Sequence, residues 1–209
     1  MMDDALRQLA AADPVMRRII RECGPCTLKP EKRRSPFQSL VHAVAHQQLN
    51  GTAANTILGR FRRLFPGRRF PPPEDLAGVS DDALCGAGFS RAKVAAIRDL
   101  AAKTLNGVVP TSRQIERLSD DEIVARLTKV RGVGRWTVEM LLIFQLGRPD
   151  VLPADDFGVR TGFRIAYRRR ELPGVKDLLA FGERWRPHRT IAAWYLWRVV
   201  DRAKAKNKE

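Results

Sequence analysis

The sequence predicts an all-α protein, and three observations support that prediction. Helix-capping residues recur along the chain, no segment sustains the period-two alternation of a strand, and 44% of the 209 residues are hydrophobic. That apolar share is sufficient for a core in one compact unit or in two small lobes.

The first elements are marked by caps. Asp13–Pro14 and Ser35–Pro36 each place a capping residue before a proline at the first helical position. Ser90 precedes a long helical pattern that ends at Asn106 and Gly107. The proline-rich stretch at residues 66–76 interrupts this series and predicts a stiff surface loop.

The helix after Ser35 carries an apolar stripe that points to Gln48. The stripe consists of residues at helical spacing, Phe37, Leu40, Val41 and Val44. Four residues further along the same face comes Gln48. Such a polar residue either turns to solvent or enters a cleft, and periodicity favours solvent.

The charge of the chain favours nucleic acid as its partner. Lys and Arg number 38 against 23 Asp and Glu, giving a formal net charge of +15. This surplus is larger than solubility requires, so a plain solvated surface is the weaker interpretation.

The same composition indicates neither a secreted nor a membrane-spanning protein. No run of about 20 apolar residues occurs, so we expect no transmembrane helix. The acidic N-terminus differs from a signal peptide, and three cysteines suit a reducing compartment. We therefore expect a cytoplasmic, nucleoid-associated protein in a bacterium or a nuclear one in a eukaryote. The CGPC pair of Cys23 and Cys26 is weak evidence for a metal or redox site.

Two further helices are predicted to meet at a glycine-containing hairpin. The first begins at the capping box of Ser119 and Glu122. The hairpin is marked by apolar and glycine positions, Leu127, Val130, Gly132, Val133, Gly134, Val138 and Leu141. Glycines allow the amide groups at the start of the second helix to approach a phosphate closely, as in a grip on a DNA backbone. An ordinary packing joint between helices is the alternative.

Paired carboxylates follow the hairpin. In DVLPADDFGVR, Pro153 ends one element, and Asp155 and Asp156 open another helix. We assign the helix cap to Asp155. An acid close to bound DNA would serve a purpose other than phosphate binding, so Asp156 is the candidate for chemistry.

Four motifs in order resemble those of one enzyme family. HQQLNGTAA, GVGRWT, LPADDFG and ERWRPHRTIAAWYLWR are similar to segments of the helix-hairpin-helix DNA glycosylases of the DNA-3-methyladenine glycosylase II type. The likeness runs from about residue 37 to 200. It implies two helical lobes with a DNA-binding cleft between them. The central lobe would span 35–147 with the helix-hairpin-helix at about 119–146, and segments 1–34 and 148–209 would form the other.

The resemblance also implies roles for the site residues. Asp156 matches the catalytic aspartate, and Gln48 matches the wedge that fills the DNA stack after a base is flipped out. Gly132, Gly134 and Arg135 would bind the DNA backbone. Trp136, Met140 and Trp197 would line the base pocket, where an indole face favours a cationic alkylated purine. Trp185 and Trp194 are expected in the core.

Trp136 is informative because related enzymes that also cut the strand have a lysine nucleophile at that position. Tryptophan cannot form a Schiff base, so we expect no lyase activity. The cysteine-ligated iron–sulfur loop of endonuclease III is also missing from the sequence. At position 140, Met replaces an aromatic pocket residue of a relative, which leaves the range of damaged bases open.

The expected function is thus that of a monofunctional, monomeric glycosylase in base excision repair. Its partner would be double-stranded DNA containing 3-methyladenine or 7-methylguanine, and it would leave an abasic site. No cofactor is expected to be required, although the family holds a monovalent cation on hairpin carbonyls. That structural Na⁺ or K⁺ would lie on Thr128, Val130 and Val133. The alternative is a non-catalytic protein of the same fold that binds DNA damage or DNA structure.

Overall fold

Residues 2–31 and 33–206 are described by the structure, a computed structural model, and they contain no strand. The helices are α1 (Met2–Ala12), α2 (Pro14–Cys23), α3 (Pro36–His46), α4 (Gly51–Arg63), α5 (Asp81–Gly86), α6 (Arg91–Leu105), α7 (Ser112–Ile115), α8 (Asp120–Leu127), α9 (Arg135–Leu141), α10 (Phe157–Ala166), α11 (Val175–Gly182) and α12 (Arg189–Lys206). Short 3₁₀ segments occur at Pro73–Gly78 and at Glu183–Trp185, and a π-helical turn occurs at Leu142–Leu146. The all-α prediction is confirmed.

The predicted caps explain where several helices begin. The side chains of Asp13, Ser35 and Ser90 each accept a hydrogen bond from a backbone N–H in the first turn of α2, α3 and α6. Ser119 and Glu122 form the capping box of α8. These bonds satisfy N–H groups that have no partner inside the helix, and each cap contributes about 1 kcal/mol.

The chain divides into two compact units. The first unit comprises Met1–Pro30 and Leu142–Glu209, and the second comprises Glu31–Leu141.

The first unit is built around α10 and α12. Its core contains Trp185 and Tyr195, both fully buried, together with Trp194, which is 7% exposed. The core assignment of Trp185 and Trp194 is therefore confirmed. Asp13 lies inside this core, where its carboxylate accepts hydrogen bonds from the Tyr167 hydroxyl and the Trp185 indole N–H.

The second unit packs α3, α4 and α6 against the helical hairpin of α8 and α9. Phe61 is fully buried at its centre, with the rings of Phe65, Phe70 and Phe89 at 5.2 to 5.8 Å between centroids. Phe70 belongs to the proline-rich segment and is half-buried, so part of that expected surface loop packs against the core. The guanidinium of Arg98 donates hydrogen bonds to the carbonyls of Leu76 and Val79, which lie near the end of the 3₁₀ segment Pro73–Gly78.

The apolar stripe of α3 is buried as predicted, but its extension to Gln48 is wrong. The helix ends at His46, and Gln47 is its C-cap. Gln48 then adopts a φ of 58°, so it is not on the helical face. Its side chain is exposed.

Two further expectations concern membranes and cysteines. Across residues 2–31 and 33–206, no helix has both the length and the apolar character needed to cross a membrane. Cys23 and Cys26 are half-buried free thiols, and burial raises the pKa of each.

Candidate functional site

Asp156 is the N-cap of α10, which corrects the assignment of that cap to Asp155. Its Oδ1 accepts a hydrogen bond of 2.7 Å from the backbone N–H of Val159. The same oxygen accepts one of 2.8 Å from the indole Nε1 of Trp197. Asp155 is exposed in the preceding turn. The catalytic candidate and the helix cap are therefore one residue.

The segment before α10 fixes the position of this carboxylate. Residues 151–154 are buried, and the Val151 N–H donates to the Thr190 hydroxyl at 3.0 Å. The Asp156 N–H closes the turn by donating to the Pro153 carbonyl at 3.0 Å. Asp156 itself is half-buried, so a rigid turn holds the carboxylate at the edge of the unit.

A glycine lets the Trp197 indole approach the carboxylate. A Cβ at Gly158 would lie 2.9 Å from Cδ1 of Trp197 and 3.0 Å from Oδ1 of Asp156. Both separations are shorter than ordinary contact distances. A side chain at position 158 would thus disturb the bond between the indole and the carboxylate.

Two exposed aromatic side chains lie next to the Trp197–Asp156 pair, one in space and one in sequence. The Phe144 ring stacks on Trp197, with centroids 5.7 Å apart and planes inclined by 25°. Phe144 is 42% exposed, and Phe157, directly after Asp156, is 70% exposed. Sequence reasoning gave neither phenylalanine a role, although Phe157 lies in the LPADDFG motif, because the motif drew attention to its carboxylates and Phe144 belongs to no motif.

The hairpin between α8 and α9 has the predicted form. Val130, Val133 and Val138 are buried and pack its two helices together. Gly132 has a φ of 74°, a conformation that side chains rarely adopt. Gly134 has open space where a side chain would be, so its backbone can be approached closely.

Charged residues of α6 fix the outer turn of the hairpin. Asp99 accepts hydrogen bonds of 2.7 Å from the Arg131 N–H and from the Lys103 ammonium, which also donates to the Lys129 carbonyl. Burial disfavours a charged Asp99, but these donors outweigh it, and the pKa of its carboxyl lies below the usual value. The sequence shows only that Asp99 and Lys103 are four residues apart, which is typical of a pair within one helix.

The same hairpin is joined to the turn that carries Gln48. The Gln47 side chain donates to the Gly132 carbonyl at 2.7 Å. The Lys93 ammonium donates to the carbonyls of Ala45 and Gln47 at 2.9 and 2.8 Å. Gln48 is one of two residues other than glycine with positive φ in the described chain. Such a conformation needs support from its surroundings, and Gln47 and Lys93 supply it.

The predicted base-pocket residues are distributed over both units. Trp136 is 47% exposed on α9, and Met140 lies four residues later on the same helix. Arg135 has an exposed guanidinium that pairs with Glu139 at 3.0 Å. Trp197, in the first unit, is the residue that the structure brings into contact with Asp156.

Backbone carbonyl groups of the hairpin are the expected ligands of the predicted cation. The carbonyl groups of Thr128 and Val133 lie in the turn of the hairpin, after the end of α8 and before the start of α9. The Val130 carbonyl accepts one bond, from the Val133 N–H at 3.0 Å. Carbonyl oxygens with lone pairs left over are ligands that suit a hard monovalent cation. The carbonyl groups of the three residues are therefore chemically suited to such an ion.

Comparisons with known proteins agree with this geometry. Residues 41–187 match the model of the HhH-GPD superfamily of base excision DNA repair proteins. DNA-3-methyladenine glycosylase 1 of Schizosaccharomyces pombe is 39% identical over 194 residues, which cover 91% of this chain and 84% of that protein. An alkylbase DNA glycosidase-like protein of the same yeast is 33% identical over 93% of this chain and 92% of its own.

A solved structure gives the same result. The 3-methyladenine DNA glycosylase of Schizosaccharomyces pombe in complex with abasic DNA has a TM-score of 0.81 and 40% identity, covering 93% of this chain and 95% of that one. The residues that match the family model include the hairpin and the Asp156 turn. The chain therefore belongs to the HhH-GPD superfamily of base excision DNA repair proteins.

Proposed function

We propose that the protein is a monofunctional, monomeric DNA glycosylase that releases alkylated purines from double-stranded DNA and leaves an abasic site. The observation that carries the proposal is the half-buried Asp156 carboxylate, held by the Val159 N–H and the Trp197 indole. The relatives named as 3-methyladenine glycosylases support the choice of substrate.

The proposed reaction breaks the bond between the purine and C1′ of the sugar. The electron pair of that bond leaves with the base, which is already cationic when alkylated at N3 or N7 and so departs neutral. The sugar becomes cationic, and Asp156 stabilises that charge until water adds to C1′ and loses a proton. Two unit charges about 4 Å apart at an effective dielectric near 20 interact by roughly 4 kcal/mol, which is on the order of a thousandfold in rate.

The target base must first leave the helix stack, at a cost of a few kcal/mol. We assign the filling of the vacated space to Gln48, whose strained turn is held by Gln47 and Lys93. The exposed indole of Trp136 would contact the cationic base, with Met140 beside it on α9. Because position 136 carries no amine, no covalent intermediate with the sugar would form and the strand would remain uncut.

The hairpin would hold the DNA backbone without reading sequence. Because Gly132 and Gly134 have no side chain, a DNA phosphate can approach the backbone there. The amide groups at the start of α9 can donate hydrogen bonds to that phosphate. Arg135 would add a positive charge there. When bound, a Na⁺ or K⁺ ion would bring a further positive charge, and the carbonyls of Thr128, Val130 and Val133 would hold it. No cofactor takes part in the proposed reaction.

A second candidate is a DNA-binding protein without catalysis. One observation favours it: Asp156 caps α10, a structural role that would preserve this aspartate without chemistry. The same hairpin and net charge would serve such a protein. The two candidates differ in whether free bases are released.

The test is chromatographic detection of free bases after incubation with methylated duplex DNA. We expect the native protein to release 3-methyladenine or 7-methylguanine, and Asp156→Asn to release almost none while binding DNA with similar affinity. Borohydride should trap no covalent adduct. Tight, salt-sensitive binding without release by the native protein would instead establish the non-catalytic candidate, and a trapped adduct would refute the monofunctional assignment.

A further inference from the structure

The second unit contains a cavity that the proposed reaction does not use. Its volume is about 390 Å³, and its lining includes the side chains of Arg33, Arg34, Arg62, Arg69, His42 and Phe70. Arg33 and Arg34 precede α3, His42 lies within α3, Arg62 lies at the end of α4, and Arg69 and Phe70 belong to the proline-rich segment. A space of this size accommodates a phosphate-containing small molecule or part of a nucleotide strand.

The cavity has a large excess of positive charge. Arg34 pairs with Glu31 at 3.3 Å, the single carboxylate in the lining. Arg33, Arg62 and Arg69 form no ion pair with any carboxylate in residues 2–31 and 33–206. These three side chains are exposed, and their mutual repulsion, although weakened by solvent, decreases further when an anion lies among them. The arrangement therefore suits a ligand with more than one negative charge.

Part of the cavity wall is formed by two packed, uncharged rings, those of His42 and Phe70. The His42 ring stacks on Phe70 with centroids 5.7 Å apart and planes inclined by 25°, and Phe70 contacts Phe61. Burial, followed by the charges of Arg34, His46 and Arg62, lowers the pKa of His42 to about 4. His42 is thus neutral at physiological pH and offers a ring N–H within this wall.

The cavity is separate from the hairpin. His42 and Gln38 line it, whereas Gln47, at the other end of α3, contacts the hairpin carbonyl of Gly132. Gln38 and Gln47 are nine positions apart, roughly 13 Å along a helix, and the nearer lining residue His42 is five positions from Gln47, roughly 7 Å. The arginine-lined space and the hairpin amides therefore lie toward different ends of α3, so a single phosphate would not contact both.

We propose that this arginine-lined cavity is a second phosphate-binding site, distinct from the hairpin. Guanidinium groups bind phosphate oxygens through paired hydrogen bonds, and three of the four are not committed to a carboxylate. The phosphates would belong either to a second DNA segment or to a small free phosphate compound. The site does not depend on the proposed glycosylase activity.

The experiment compares two double variants of the full-length protein. Arg62→Ala with Arg69→Ala removes two cavity arginines. Arg60→Ala with Arg63→Ala removes the same charge from exposed positions of α4 outside the cavity lining. In calorimetric titration with inorganic pyrophosphate, we expect the cavity variant to bind at least about tenfold more weakly than the native protein. The control variant should stay within about twofold.

A second measurement distinguishes the two sources of phosphate. The affinity for a long unmodified duplex is measured against salt concentration, and each lost phosphate contact should reduce the slope by about 0.9. A reduction of one to two such steps in the cavity variant alone identifies a DNA segment as the ligand. An unchanged slope with weaker pyrophosphate binding identifies a free phosphate compound.

Two results would overturn the proposal. One is equal behaviour of the cavity and control variants in both measurements, since charge alone would then explain binding. The other is loss of base release from a short methylated duplex in the cavity variant, because the site would then belong to the hairpin-bound DNA. A native protein that releases no bases would refute the glycosylase but leave the comparison of the two variants intact.

Discussion

Two aspartates of the first unit have the same local role but different surroundings. Asp13 caps α2 and Asp156 caps α10, and each also accepts a hydrogen bond from a tryptophan indole, at 3.0 and 2.8 Å. Asp13 is only 2% exposed, and the Tyr167 hydroxyl donates to it as well. Asp156 is half-buried and is followed by the exposed ring of Phe157.

The difference between Asp13 and Asp156 shows that the degree of burial distinguishes a structural carboxylate from a reactive one. A buried carboxylate is tolerated only when donors compensate for its lost hydration, as the four bonds to Asp13 do. Asp156 keeps contact with solvent, so a substrate can approach the charge there. A capping position at the edge of the unit can therefore combine structure with chemistry.

The largest effect should come from removing the charge of Asp156. Asp156→Asn keeps an oxygen that can cap α10 and accept from Trp197, but it cannot stabilise a cationic sugar. We expect base release to fall by about a thousandfold, with a shift of no more than about 2 °C in the melting temperature. Single-turnover assays and thermal unfolding measure the two quantities. Comparable losses of activity and stability would make Asp156 a structural residue like Asp13.

The opposite pattern is expected at the buried aspartate. Asp13→Ala removes a helix cap and leaves the Tyr167 hydroxyl and the Trp185 N–H without an acceptor. The free energy of unfolding should fall by about 3 kcal/mol, while the folded fraction keeps its rate of base release. Urea denaturation gives the first value. Asp155→Ala is the control and should change stability by less than about 0.5 kcal/mol, because Asp155 is exposed and caps no helix. A large effect there would restore Asp155 as the cap.

These two sites also show what could be predicted from sequence. The cap at Asp13 followed from the proline after it, whereas the paired acids gave a cap that was wrong by one residue, since local patterns do not resolve such a shift. The indole donors lie 172 and 41 residues from their carboxylates, so only the folded chain brings them together. The hairpin was predictable from local glycines and apolar spacing, but its support by Asp99 and Gln47 depends on tertiary contacts.

A smaller effect should follow from removing the donor to Asp156. Trp197→Phe keeps an aromatic ring against Phe144 but loses the N–H, which contributes about 1.5 kcal/mol when it binds a charged group. We expect kcat to fall by about tenfold with KM unchanged, since the indole orients the carboxylate. Trp194→Phe, on the same helix, is the control and should leave both constants unchanged. A rise in KM with constant kcat would show that Trp197 binds the base instead.

The smallest effect concerns the hydroxyl that donates to Asp13. Burial, and then the bond to Asp13, raise the pKa of Tyr167 well above its ordinary value of 10.0. The unfolded chain therefore loses this proton near pH 10 while the folded protein retains it, so stability is full below that pH and declines as the pH rises beyond it. Tyr167→Phe should lower the free energy of unfolding by about 1 kcal/mol at neutral pH and flatten the alkaline decline.

Comparison of the native protein with Tyr167→Phe separates the ionisation of Tyr167 from that of Tyr195. Burial, together with the nearby Cys26 and Cys23, raises the pKa of Tyr195 to about 12, and this contribution is present in both proteins. Unfolding measured from about pH 8 to 11 should thus give curves that converge as the pH rises. Parallel curves would mean that Tyr167 ionises equally in the folded and unfolded chains. The Tyr167 hydroxyl would then not be one of the donors that distinguish the buried Asp13 from Asp156.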